Sequence, residues 1–312
     1  MNRQITLALL IDWKYDIRKT HGKDYSMIVF VEILKAILFG IVEGVTEWLP
    51  VSSTGHMILL DEFIKLKMSE SFYDLFEMVI QLGAILAVIV LFFHKLNPFS
   101  PKKDSLAKKN TWQLWFKVVV AVLPSAVIGL AVDEALDGFL RNTYIAGASL
   151  NAIVVAAMLV LYGIAFILVE KRNQGKTFAV TEVGELTYKT AIFIGLFQCL
   201  SIIPGTSRSG ATILGALLLG VGRAAGSEFS FFLAIPTMLG ASLLKLVTFD
   251  GVATGTEITV LAVGCVVSFL VSLAVIRGLM EYVRKHSFAS FGVYRIILGI
   301  LVLGYFLIRS VV

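Results

Sequence analysis

Gly40-Ile-Val-Glu-Gly-Val-Thr-Glu-Trp-Leu-Pro-Val-Ser-Ser-Thr-Gly-His56 is an apolar helical pattern that runs into a proline-broken turn rich in hydroxyls. Late in the chain Gly195-Leu-Phe-Gln-Cys-Leu-Ser-Ile-Ile-Pro-Gly-Thr-Ser-Arg-Ser-Gly210 does the same. Gly40, Glu43, Pro50 and Ser53 answer Gly195, Gln198, Pro204 and Ser207 at an offset of about 154 residues, with Pro-x-x-Ser kept in both. Irregular polar backbone is tolerated at membrane depth only where it is buried in protein or lines a wet cavity. Ionisable residues there are functional candidates by default. The chain therefore displays its site twice.

The setting is a membrane. Hydrophobic residues make up 57% and charged residues 16% of the chain, against roughly 45–50% and 25% in soluble domains. Mean hydropathy is +0.86. Segments such as Phe76–Phe93, Asn151–Val169, Ile258–Ile276 and Ile296–Ile308 approach the ~20 apolar residues that a bilayer requires, which excludes a soluble enzyme. The formal charge of +5 does not point to nucleic acid, because Lys and Arg gather in short loops between apolar segments. Cys199 and Cys265 lie in apolar runs without metal-ligand spacing and read as small buried hydrophobes. Residues 1–26 hold one short apolar run, Ile5–Ile11, too short to span and without a cleavage site, so they read as an extension ahead of a single domain at 27–312.

Six crossings are predicted, at about Phe72–Phe93, Leu114–Val132, Thr143–Val169, Phe229–Val247, Glu257–Met280 and Val293–Ile308. Each motif segment has one apolar arm, a proline and glycine-serine turn and a second short arm, the composition of a re-entrant hairpin. Leu82-Gly-Ala-Ile-Leu86 answers Leu239-Gly-Ala-Ser-Leu243, so the repeat reaches past the motifs, with halves at about 32–169 and 187–312. The expected fold is an all-α polytopic membrane protein: six transmembrane helices and two re-entrant helical hairpins in an inverted-topology internal repeat. Basic loops at Lys95–Lys117, Lys171–Lys176 and Arg284–Lys285 fall on one side, which the positive-inside rule makes cytoplasmic. Asp133, Glu134 and Asp137, then Asp250 and Glu257, fall on the other. Glycine-rich membrane helices are compatible with a homodimer without establishing one.

Glu43 and Glu47 are spaced i, i+4 and share a helix face. Insertion costs roughly 2.5–3.5 kcal/mol for one acid at mid-membrane, so the pair needs a divalent cation, a buried Arg or a shared proton. Pro50-Val-Ser-Ser-Thr-Gly-His56 places the Ser52, Ser53 and Thr54 hydroxyls and the His56 imidazole in one loop beside them. A Ser near a His is the minimum for an activated nucleophile, and the same turn is also ordinary helix-capping chemistry. Pro204-Gly-Thr-Ser-Arg-Ser-Gly-Ala-Thr212 offers amides, hydroxyls and one guanidinium, a set that suits phosphate. Arg208 could instead pair with Glu43 or Glu47 as a structural salt bridge, a role compatible with the first.

Together the two motifs resemble the bacterial undecaprenyl-diphosphate phosphatases, the bacitracin-resistance family, over about Ile28 to the C-terminus. The resemblance implies hydrolysis of undecaprenyl diphosphate to the monophosphate carrier of cell-wall synthesis, in the inner membrane with the site facing outward. By position it makes Glu43 and Glu47 the acidic pair, Ser53 and His56 the catalytic loop, and Ser207, Arg208 and Thr212 the phosphate site, with Ser52 and Thr54 as further substrate contacts. Ser53 is the first choice of nucleophile with His56 as its base, and the converse assignment stays open. Glu43 and Glu47 are expected to hold Mg²⁺ or Ca²⁺, and the prenyl tail to lie between crossings against lipid. A transporter or flippase of a lipid phosphate would show the same broken helices and is the rival reading. Phosphatases related to the phosphatidic-acid enzymes are set aside, since the His they place six residues after the Arg is Leu214 here.

Overall fold

The computed structural model describes residues 22–145 and 148–311, so most of the 1–26 extension lies outside the described residues. The chain folds into α1 (Gly22–Thr46), α2 (Ser53–Phe63), α3 (Glu70–Leu91), α4 (Ser105–Asn142) and α5 (Leu150–Asn173), followed by α6 (Tyr188–Cys199), α7 (Arg208–Leu218), α8 (Arg223–Val247), α9 (Gly255–Lys285) and α10 (Ala289–Val311). Among the described residues six helices are long and apolar enough to cross a membrane: α3, α4, α5, α8, α9 and α10. They are the six expected crossings. The two motif segments form helix–turn–helix pairs, α1–α2 and α6–α7, whose second arms have only 11 residues each, about 17 Å at 1.5 Å per residue and too short to cross.

The second crossing is longer than predicted. Asp104 caps α4 by accepting from the Ala107 amide at 2.7 Å, so the helix starts well before Leu114. It continues through Pro124 to Asn142, and the stretch at 133–137 is helix rather than loop. The third crossing begins later than expected, because Tyr144–Ile145 and Ala148–Ser149 form a two-residue antiparallel ribbon before α5.

The order of elements recurs: a motif arm, an 11-residue second arm and three long helices, twice. The packing follows that order. Helix α1 lies along α9 while α6 lies along α4, and α3 packs on α8 as α5 packs on α10. Glycines set these approaches. A Cβ on Gly40 or Gly44 of α1 would meet the Gly264 or Ser268 carbonyl of α9 at 2.7 or 2.8 Å. The largest apolar core surrounds α8, where Phe229, Phe231 and Phe232 are fully buried. That core is the wall behind the second hairpin.

Candidate active site

Both turns are built on a serine held at positive φ. Ser52 (φ 72) caps α2 by accepting from the Gly55 amide at 3.3 Å, and Ser207 (φ 71) caps α7 by accepting from the Gly210 amide at 3.2 Å. Non-glycine residues in such backbone store on the order of 1–3 kcal/mol of strain and cluster at functional sites. These caps correct the repeat register. Ser52 corresponds to Ser207, so the offset is 155, as it already is for Gly40/Gly195 and Glu43/Gln198, and the Pro-x-x-Ser alignment is one residue out in the turn. In the corrected register the first helical residues of the two second arms are Ser53 and Arg208.

Those two residues converge on Glu47. The Ser53 hydroxyl donates to Oε2 of Glu47 at 2.9 Å, and Nη2 of Arg208 donates to Oε1 at 2.7 Å. Both side chains of the ion pair are about nine-tenths buried, at 11% and 8% exposure, so the pair is weakly screened. Nη1 of Arg208 donates to the Ser230 carbonyl at 2.9 Å, and its guanidinium stands 5.7 Å from the buried Trp48 ring. Trp48 is thus a packing residue, wedged edge-on against Phe231.

The remaining expected residues separate into distinct roles. Glu43 is buried, has Glu47, Glu77 and Arg208 as charged neighbours, and leaves Oε1 without a hydrogen-bond partner among the described residues. Thr212 is fully buried, donates to the Arg208 carbonyl at 2.9 Å and pairs with the Ser230 hydroxyl at 2.7 Å, so it steadies the helix turn and residue that hold Arg208. Ser207 is occupied as a cap and with Ser209, which in turn bonds the Glu47 and Leu49 carbonyls. Thr54 is exposed and takes no part in this network.

His56 is not turned toward the Ser53 hydroxyl. Its Nδ1 lies 2.7 Å from the Ser52 carbonyl, which cannot donate, so Nδ1 carries the proton. In the neutral ring Nε2 then accepts from the Tyr294 hydroxyl at 2.6 Å. The group bonded to Ser53 is a carboxylate. His56 and Tyr294 instead line an apolar cavity of about 570 Å³ with Val45, Leu49, Val51 and Leu279.

One residue of the site escaped the motif reading. Arg295, on α10, is fully buried and donates to the Pro50 carbonyl at 3.1 Å, to Gly205 at 2.8 Å and to Thr206 at 3.0 Å. Pro50 and Gly205 are equivalent positions at the 155-residue offset, so a single guanidinium ties the same carbonyl of both turns. An arginine inside the apolar stretch 293–308 was the available signal, because intramembrane charge marks function.

A polytopic helical membrane protein with two re-entrant turns that bring a serine, an arginine and a carboxylate together is the class these observations define. The family model for "Bacitracin resistance protein BacA" matches residues 36–301. The chain is 54% identical over 279 residues to the undecaprenyl-diphosphatase of Lactiplantibacillus plantarum, covering 88% of this chain and 98% of that protein. It is 55% identical over 276 residues both to the undecaprenyl-diphosphatase of Enterococcus faecalis and to undecaprenyl-diphosphatase 1 of Clostridioides difficile, covering 88% of this chain and 97% of each relative. The chain belongs to the BacA family.

Proposed function

We propose that this chain hydrolyses undecaprenyl diphosphate to undecaprenyl phosphate and inorganic phosphate, with Ser53 as nucleophile and Glu47 as its base. The observation that carries the assignment is the Ser53–Glu47–Arg208 chain of bonds at 2.9 and 2.7 Å. Phosphoryl transfer is mostly positioning and charge neutralisation. Arg208 exchanges Glu47 for the oxygens of the terminal phosphate, a planar fork meeting two acceptors, and this frees the carboxylate. The Ser53 oxygen attacks the terminal phosphorus, its proton passes to Glu47, and the bridging P–O bond breaks with its electron pair on the departing monophosphate lipid. Water then attacks the phosphoserine, the bond from phosphorus to the serine oxygen breaks as Glu47 returns to that oxygen the proton it took, and phosphate leaves carrying the protons of the water. His56, anchored to the Ser52 carbonyl and Tyr294, shapes the turn and the apolar cavity beside it, which takes the first part of the prenyl chain.

Rapid quench with labelled diphosphate tests the nucleophile. An acid-stable, alkali-labile adduct that disappears in Ser53→Ala is expected. An acid-labile adduct lost in His56→Ala would transfer the role to His56.

The donor set fits a divalent cation. Glu43 leaves a buried carboxylate oxygen without a hydrogen-bond partner among the described residues, and Mg²⁺ sites use one or two carboxylates plus substrate phosphates. Glu43, with the Glu47 oxygen that Arg208 gives up, would hold Mg²⁺ or Ca²⁺, whose charge would offset that of the diphosphate, while the other Glu47 oxygen stays on Ser53. Chelation is expected to abolish turnover, with full recovery on adding back the metal. Full activity in chelator would leave Glu43 as an electrostatic partner of Arg208 alone.

The inverted arrangement of the two halves and an outward-facing site in the bacterial inner membrane belong to the same proposal, and the three basic loops support them. Lys103→Cys and Asn173→Cys should resist impermeant thiol reagents in intact cells. Labelling of either would reverse the orientation.

A further inference from the structure

A second cavity, of about 810 Å³, lies at the end of the molecule that carries the basic loops, away from the Glu47 cluster. Its walls come from the end of α3 and the turn after it (Leu91, Phe92, Lys95), the start of α8 (Glu228) and the last turns of α9 (Arg277, Met280, Arg284). Arg277, Met280, Glu281 and Arg284 are spaced i, i+3, i+4, i+7 and so form one face of α9. Arg277 is eight residues before Lys285, about 12 Å deeper along the helix. That depth separates it from the basic last turn that ordinary positive-inside composition provides.

The charges in this cavity do not cancel. Lys95 is committed to Glu228, reaching both carboxylate oxygens at 2.7 and 3.0 Å. Glu281 is approached by Lys285 at 3.3 Å. Each acid is thus matched by a lysine, and among the described residues neither Arg277 nor Arg284 has an ion-pair partner. Two guanidiniums are left facing a space with apolar lining, Leu91 and Phe92 from the opposite wall and Ile276 and Met280 beside them on α9. A planar, permanently charged donor suits phosphate, and basic pockets between membrane helices on the cytoplasmic side suit lipid headgroups.

We infer that this cavity binds the phosphate headgroup of an anionic phospholipid, with Arg277 and Arg284 on the phosphate and the acyl chain along Leu91, Phe92 and Met280. Phosphate is the shared chemistry of a lipid headgroup and of free inorganic phosphate. The apolar wall favours the lipid. The site is independent of the hydrolytic reading, since it contains none of the residues assigned to catalysis.

Native mass spectrometry of the full chain in detergent, titrated with phosphatidylglycerol, phosphatidylcholine or inorganic phosphate, tests this. Phosphatidylglycerol adducts should exceed phosphatidylcholine adducts by about 5-fold or more for each engaged arginine, the scale on which one basic residue acts near anionic lipid. Arg277→Gln with Arg284→Gln should erase the preference, and Arg277→Gln alone should reduce it. Lys102→Gln, which removes an exposed cation of the same side outside the cavity, should leave it intact. An unchanged preference in the double variant, or an equal loss in Lys102→Gln, would overturn the site. Displacement of the lipid by millimolar phosphate would overturn the lipid assignment.

Discussion

At the first position of the second arm, one hairpin carries Ser53 and the other carries Arg208, and each stands directly after a capping serine at φ 72 or 71. The backbone device is the same and the chemistry is different: a hydroxyl on one side, a guanidinium on the other. Ten residues earlier, on the first arms, the divergence repeats. Glu43 is an acid whose Oε1 has no hydrogen-bond partner among the described residues, whereas its counterpart Gln198 is neutral and its amide donates to the Ser125 hydroxyl at 2.6 Å. Two like-built turns thus deliver two unlike groups to one point, and Glu47, whose place in the second hairpin is taken by Ile202, joins them. Asymmetry is required because the reaction needs an attacking group on one side and charge neutralisation on the other.

The largest effect should come from breaking the joint. Glu47→Gln keeps the shape but removes both the base and the partner of Arg208, and turnover should fall by about 10³-fold or more, within the usual range for general-base loss. Single-turnover phosphate release checks this, with phosphoserine formation slowed to the same extent.

Arg295 distinguishes a shared anchor from two independent turns. Arg295→Met removes charged hydrogen bonds to both turns and strands buried carbonyls, so a loss of about 3 kcal/mol or more in stability is expected. Thermal unfolding of the purified protein in detergent measures it. Protection against proteolysis should fall at both turns together; loss at one turn alone would show that they are held separately.

Arg208→Lys keeps the charge at the second hairpin but loses the fork that meets two phosphate oxygens. A fall in kcat/KM of about 100-fold is expected, comparable to the loss of one preorganised oxyanion donor. A near-normal rate would reduce Arg208 to the structural partner of Glu47.

The smallest effect concerns what the two hairpins have in common. In Ser52→Gly and Ser207→Gly, relief of positive φ offsets a lost cap, since glycine is a fair cap and costs only a few tenths of a kcal/mol there. Both should change stability by less than about 1 kcal/mol, and by similar amounts. A large effect at Ser207 alone would show that its hydroxyl serves more than the Gly210 amide.

The sequence by itself determined the membrane class, all six crossings and the two hairpins, and it named the acidic, serine and arginine candidates. These follow from hydropathy length and from polar groups placed where solvation is absent, both local properties of a chain. It could not set the partners. Whether Ser53 bonds His56 or Glu47 depends on which way each side chain leaves its turn, and the Ser52 carbonyl and Tyr294, 238 residues from His56, claim both imidazole nitrogens. The repeat register is tertiary for the same reason: Pro50 and Pro204 invite one alignment, but the helix caps and the Arg295 bonds enforce the other. Unpaired carbonyls and amides at mid-membrane must find partners within the protein. The partners come from helices far away in the sequence, so only the packed bundle decides which turn atoms are equivalent and which group holds the serine proton.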